Sequence, residues 1–183
     1  MSIYQPEEDS YLLSDVLKKE IKKLIKKNKN LKFLEIGCGS GIQLETALNS
    51  SVKIDNITGS DINSEAVKYC KGLGFNCIKS NLFQNIKGKY DLIAFNPPYL
   101  PLNEEEPESS RRETTAGVLG NEIIIEFFKQ AKKHLTKEGK IFIITSSLSK
   151  EVDFKKLEYK AKRVSHKKLF FEELFVFDVS LEN

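Results

Sequence analysis

Cysteine is scarce in this 183-residue chain: Cys38, Cys70 and Cys77 are odd in number and form no Cys-x-x-Cys pair, so they specify neither a disulfide framework nor a self-contained zinc site. Reduced thiols are expected, and no metal. Long apolar runs are missing as well. None exceeds four residues, against roughly 18 for a membrane helix, and Met1 to Asp9 lacks the basic start and apolar stretch of a secretory leader. The expectation is a soluble, cytoplasmic protein. Charge of one sign is not in excess either: 29 basic and 26 acidic residues leave a net +3, too little to serve as a nucleic-acid footprint. What is present suits one ordinary folded domain spanning 1–183. The chain is 40% hydrophobic, and its length allows burial of roughly 70% of the unfolded surface without a staple.

The amino-terminal segment, about 1–30, is predicted to be helical. Leu13, Val16, Leu17, Ile21, Leu24 and Ile25 recur at three- and four-residue spacing, and Lys18, Lys19, Lys22, Lys23, Lys26 and Lys27 fall largely on the opposite face. A solvated lysine face is the plain reading of that patch. Short apolar runs then alternate with helical patterns. Strands are expected at Lys32–Ile36, Ile57–Asp61, Phe75–Lys79, Tyr90–Phe95 and Lys140–Thr145, and helices at Ile42–Asn49, Ser64–Gly72 and Glu122–Leu135. Such alternation implies βαβ units and a mainly parallel sheet. An amphipathic stretch, Lys150–Lys162, precedes Arg163–Leu169 and Leu174–Asp178, two strand-like runs close enough to pair as a hairpin. The connection from Pro98 to Gly120, with Glu104, Glu105, Glu106 and Glu108 before Arg111 and Arg112, is long enough to suggest a functional or disordered loop.

Chemistry first shows at Glu35-Ile36-Gly37-Cys38-Gly39-Ser40-Gly41, between a predicted strand and a predicted helix. Glycines there let backbone approach a ligand and supply turn angles that a β-carbon resists. Asp61 follows Gly41 by twenty residues at a strand end, where a carboxylate can accept both ribose hydroxyls. Together they indicate an adenosine-containing cofactor. A dinucleotide loop needs another glycine three residues after Gly39, but Ile42 stands there, which weakens a nicotinamide oxidoreductase reading.

A second signal is Asn96-Pro97-Pro98-Tyr99 after the fourth predicted strand. Ligands of open parallel sheets sit outside the carboxyl ends of the strands, so this tetrapeptide should share a cleft with the glycine loop. Two successive prolines remove two backbone donors and leave the carbonyls. The Asn96 side-chain oxygen and the Pro97 carbonyl could each accept from a planar NH2 group, with Tyr99 stacked on its plane. That is a grip on an amide or an exocyclic amine.

These residues carry a resemblance. The glycine loop resembles motif I of class I methyltransferases that use S-adenosylmethionine (SAM), and with Asn-Pro-Pro-Tyr it resembles amino-group methyltransferases generally. The segment Tyr4-Gln5-Pro6-Glu7-Glu8-Asp9-Ser10-Tyr11-Leu12-Leu13, with Ser60-Asp61-Ile62-Asn63, Phe95 to Tyr99 and Glu173-Leu174, is similar to the archaeal and eukaryotic branch of HemK-type enzymes, which methylate glutamine in peptide-chain release factors. The likeness covers essentially the whole chain. It implies a Rossmann-like α/β fold with seven strands in the order 3-2-1-4-5-7-6 and helices on both faces. By motif, Ser10 and Glu35 to Gly39 (Gly37 and Cys38 included) would hold the methionine part of SAM, Asp61 its ribose, and Asn81-Leu82 its adenine, with Ile62 also lying against the cofactor. The family usually has Asp where this chain has Asn81. Asn96, Pro97, Pro98 and Tyr99 would bind the target amide, Asn96 also lying against the cofactor.

On this reading catalysis is chiefly positioning, with acceptors that stabilise charge developing on the NH2 group. No histidine base is needed, and His134 and His166 are expected to be structural. The resemblance further implies a release-factor substrate and a small zinc-binding activator subunit. Such a subunit could add to the open edge of the third strand, covering Phe75, Cys77 or Leu73. The alternatives are an adenine-N6 nucleic-acid methyltransferase, which must flip its base, and a non-catalytic binding module. Direct nucleic-acid binding stays open, with the Lys18 to Lys27 helix as its only patch.

Overall fold

The computed structural model describes residues 3–102 and 115–182. The acidic run at Glu104 to Glu108 and the pair Arg111 and Arg112 lie outside them. The chain begins with α1 (Glu8–Lys27), whose Leu13, Val16, Leu17 and Ile21 are buried while the six lysines are exposed. Acidic Glu8 and Asp9 in its first turn and Lys26 and Lys27 in its last complement the helix dipole. There follow β1 (Phe33–Ile36), α2 (Ile42–Asn49), β2 (Ile57–Asp61), α3 (Ser64–Gly72), β3 (Asn76–Lys79) and β4 (Tyr90–Phe95). After the long connection come α4 (Glu122–Ala131), β5 (Leu135–Ser146), β6 (Tyr159–Lys168) and β7 (Glu173–Leu181).

The seven strands form one sheet in the order β3-β2-β1-β4-β5-β7-β6. The first five run parallel, and β7 is antiparallel to both β5 and β6. Alternate residues divide the core into two layers, as the period-2 geometry of strands requires. Phe33, Leu92, Ala94, Phe142, Ile144 and Val176 face α1, α2 and α3, whereas Leu34, Ile36, Ile93, Phe95, Ile141 and Ile143 face α4. On the α4 side, Phe95, Phe127, Phe128 and Tyr159 form a chain of ring contacts with centroids 4.7–5.1 Å apart.

Several expected boundaries move. The helix expected to reach Leu135 stops at Ala131, continues as a 3-10 turn over Lys132–His134, and Leu135 already pairs with Tyr90 of β4. The larger correction is at Lys150–Lys162. Instead of a helix, turns run over 154–158, with Leu157 N donating to Phe154 O, and Tyr159 onward is the basic edge strand β6. Tertiary packing overrides the periodicity here: Tyr159 is buried, its hydroxyl donating to Phe128 O, and its backbone pairs with Leu181. The sheet face beside α4 is left partly open as a cavity of about 710 Å³, lined by Phe175, Phe177 and Arg163 among others.

Candidate active site

Three strand ends build the site. After β1 the chain turns through Gly37, Gly39 and Gly41, with φ of +69°, +46° and +81°, left-handed values that β-carbons resist. A β-carbon on Gly37 would stand 3.6 Å from the Phe95 ring and 4.0 Å from Asn96 O, so the glycine loop and Asn-Pro-Pro-Tyr are immediate neighbours. Cys38 N donates to Ser60 O at 2.8 Å, and Gly39 N donates to Asp61 Oδ2 at 2.9 Å. Asp61 Oδ1 accepts from Asn63 N at 2.8 Å. The carboxylate at the end of β2 thus holds the loop in shape. Burial pushes its pKa up, and the backbone N–H groups of Asn63, Gly39 and Ile62 pull the other way.

Glu35, inside β1, is buried with one carboxyl oxygen unpartnered. Desolvation, and then the negative charge of Asp61, pushes its pKa well up. An uncompensated acidic acceptor at a glycine loop fits a cationic group. On the far side of the loop, Asn96 Nδ2 donates to Ser10 Oγ at 3.3 Å, while Asn96 Oδ1 is buried without a partner. Its amide orientation is thereby set, with the oxygen left for something else.

Ser10 is held by Asp9, the residue whose role the sequence did not disclose. Its buried carboxylate accepts from the Ser10 backbone N–H and hydroxyl, from Tyr4 Oη at 3.0 Å, and from Tyr99 Oη at 3.1 Å. Both tyrosine hydroxyls are pushed far up by burial first and Asp9 next, so they remain donors. Glu172, in the turn between β6 and β7, adds to the effect on Tyr99. Gln43 of α2 closes the frame, Nε2 donating to Ser10 O at 2.9 Å and Oε1 accepting from Ser14 Oγ at 2.8 Å. The only advance signal for Asp9 was its place in the segment 4–13; for Glu172 and Gln43 there was none.

The remaining predicted residues lie along the same rim. Ile62 is 60% exposed beside Asp61. Ser80 N donates to Asp61 O, which ties the loop after β3 to the end of β2; Leu82 there has φ +47° and is half-buried, while Asn81 is exposed. The structure therefore gathers Ser10, Glu35, Gly37, Cys38, Gly39, Asp61, Ile62 and Asn96 to Tyr99 at adjoining strand ends, with Asn81 and Leu82 at the rim. The histidines stand apart from these residues: His134 stacks on Phe83 and its Nδ1 lies 3.1 Å from Gly88 O, and His166 is 3.7 Å from Glu173.

Spacing alone did not connect the three cysteines, yet their sulfurs lie within 4.8 Å of one another, buried beneath the glycine loop. Hydrogen bonds from Cys38 and Cys70 pull the Cys77 thiol down, whereas at Cys70 the lowering by Cys38 is outweighed by Cys77 and burial, which push it up. Three sulfurs are one ligand short of a closed tetrahedral zinc site.

Residues 9–170 match the family described as methyltransferase small domain. The chain belongs to that family. It is 36% identical over 187 residues to a putative protein N5-glutamine methyltransferase of Methanocaldococcus jannaschii, covering 95% of this chain and 89% of that protein. It is 29% identical to the eRF1 methyltransferase catalytic subunit of Schizosaccharomyces pombe, covering 81% and 74%. Among solved structures, the E. cuniculi Mtq2-Trm112 complex for methylation of eRF1 superposes with a TM-score of 0.72 at 21% identity, covering 99% of each chain. The shared fold is the seven-stranded sheet with reversed last strand described above. No helix among the described residues is long and apolar enough to cross a membrane.

Proposed function

We propose that this methyltransferase moves a methyl group from SAM to the side-chain amide nitrogen of glutamine in the Gly-Gly-Gln loop of a peptide-chain release factor. One observation carries a planar NH2 group as the target: the buried, unpartnered Oδ1 of Asn96, its orientation set by NH2 donation to Ser10. The choice of an amide over an exocyclic amine rests on the relatives' activities on glutamine and on eRF1.

The residues fit the cofactor. The unpaired oxygen of Glu35 suits the ammonium of its methionine part, Gly37 to Gly39 let backbone approach, and Asp61 accepts from the ribose. Ile62 and Leu82 supply apolar cover for adenine beside Asn81. When bound, SAM supplies a methyl on a sulfonium, activated enough that no covalent enzyme intermediate is needed. The chain's own work is then to hold a weak nucleophile in line. An amide lone pair is delocalised into its carbonyl, so the NH2 must be fixed by acceptors, here Asn96 Oδ1 and the Pro97 carbonyl, with Pro98 and Tyr99 shaping the wall. Those acceptors gain most as the nitrogen becomes positive, which lowers the barrier rather than merely tightening binding. Tyr99, kept a donor by Asp9, cannot remove the proton that nitrogen releases.

A small activator subunit is part of the proposal, after the two-chain assembly of the E. cuniculi relative, and we place it at the open edge of β3. Of the residues expected to be covered there, Phe75 and Cys77 are buried in the chain's own core, and Leu73 is exposed. The deciding experiment is mass spectrometry of a recombinant release factor after incubation with this protein and SAM. One added methyl on the Gly-Gly-Gln glutamine is expected; an unmodified glutamine removes the reading.

A further inference from the structure

Phe170 and Phe171 are 99% and 90% exposed, consecutive, and at the tip of the β6–β7 hairpin, with ring centroids 6.3 Å apart. A solvated aromatic pair is costly to leave uncovered, and such pairs serve as anchors of protein interfaces. The tip is not loose. Leu169 N donates to Glu172 O at 2.7 Å, Ser147 N, just after β5, donates to Glu173 O while Glu173 N donates to Ser147 Oγ, and Lys167 pairs with Glu8 at the start of α1. Ser149 Oγ in turn donates to Tyr99 O at 2.7 Å. The hairpin tip is therefore fastened to the two segments that carry Asp9, Ser10 and Tyr99. Glu172, next to the aromatic pair, has a buried carboxyl oxygen with no partner and is close enough to Tyr99 to help push its hydroxyl pKa up.

We propose that the tip Leu169–Glu172 docks the protein substrate: Phe170 and Phe171 enter an apolar depression on its folded body. This rests on the glutamine reading given above. The partner's depression is bordered by carboxylates, because β6 exposes Lys160, Lys162, Arg163 and Lys168 along the approach. Phenylalanines among lysines also suit a lipid surface, but the ties of the hairpin to the segments carrying Ser10 and Tyr99 set the tip beside the site, which favours a polypeptide substrate.

The test pairs a binding measurement with turnover. A release factor is titrated onto wild type and onto Phe170→Ala/Phe171→Ala, each loaded with S-adenosylhomocysteine, and methylation is followed on both the whole factor and a short Gly-Gly-Gln peptide. Expected for the double variant are a Kd for the factor weakened tenfold or more and a matching rise in KM. Its SAM affinity and its rate on the peptide should stay within twofold of wild type. Because both residues are solvated, the fold should persist by circular dichroism. If the variant binds and methylates the factor like wild type, docking at the tip is overturned and the glutamine reading stands. If wild type itself neither binds nor methylates the factor, both fall together. Retention of wild type, but not the variant, on phosphatidylglycerol vesicles would assign the tip to lipid and overturn the proposal.

Discussion

Asp61 and Asn96 lie at the ends of β2 and β4, on either side of β1, and should fail in different ways. Asp61→Ala removes a charged acceptor for the ribose and the anchor of Gly39 N, so SAM binding should weaken by about 1.5–3 kcal/mol in calorimetry while circular dichroism stays native. Asn96→Ala removes an acceptor that matters most in the transition state. Turnover should drop by on the order of 10²-fold or more, with SAM affinity within a few-fold, in single-turnover assays with labelled SAM. Glu35 adds a pH signature. Its pKa is raised in the folded chain above the ordinary 4.5, so the native state holds that proton when the unfolded chain has lost it. Without cofactor, stability therefore falls as pH climbs from about 4.5 to the folded pKa, and the whole cost is present above it. Glu35→Gln should raise the cofactor-free stability at pH 8, by about 1 kcal/mol or more, and flatten its pH dependence, read from thermal unfolding. A cofactor ammonium favours the carboxylate, so SAM binding should release protons and tighten with pH in wild type, and should lose that slope in the variant. These residues were legible because Gly, Pro, Asp and Asn at fixed offsets advertise backbone geometry and acceptors. Asp9 was not legible as the hub it is: its four donors come from Tyr4, Ser10 and Tyr99, up to 90 residues away.

At the scale of elements, what repeats was readable and what depends on a distant partner was not. The parallel strands β1 and β4 are buried on both faces and read as short, mostly apolar runs. Lys150–Lys162 misled because Val152, Phe154, Leu157 and Tyr159 have helical spacing but are consumed by different neighbours, Phe128 and Phe177 among them. A ten-residue edge strand carrying six basic side chains, His166 included, likewise gives no apolar alternation to detect. Its charges serve another purpose, since lysines on an edge discourage pairing with a further chain. The other edge, β3, is four residues long and carries only Lys79 as a charge, which is why the activator is placed there. In a co-expressed complex, hydrogen exchange should slow across residues 73–82 and leave β6 unchanged. Protection confined to β6 would move the partner to the opposite edge.

For the whole molecule, the two core layers meet at a sheet whose carboxyl ends carry unpaid electrostatic and hydrogen-bonding costs: Glu35 Oε2, Asn96 Oδ1 and Glu172 Oε1 are the buried side-chain atoms left unpartnered among the described residues. A structure that concentrates such costs in one region is stabilised by whatever satisfies them. SAM, binding only the folded state, should stabilise the protein by about 2.7 kcal/mol at a hundred times its Kd. For a chain of this length each kcal/mol is worth roughly 2–4 °C, so the melting temperature should rise by about 5–10 °C. The variants divide the effect by location. Asn96→Ala should keep the shift, because its free oxygen is assigned to substrate; Asp61→Ala and Glu35→Gln should lose most of it at the same SAM concentration. Scanning calorimetry of the four proteins with and without SAM makes the comparison. A full shift in Asp61→Ala would place the ribose away from the end of β2, and a lost shift in Asn96→Ala would turn its acceptor from the target amide to the cofactor.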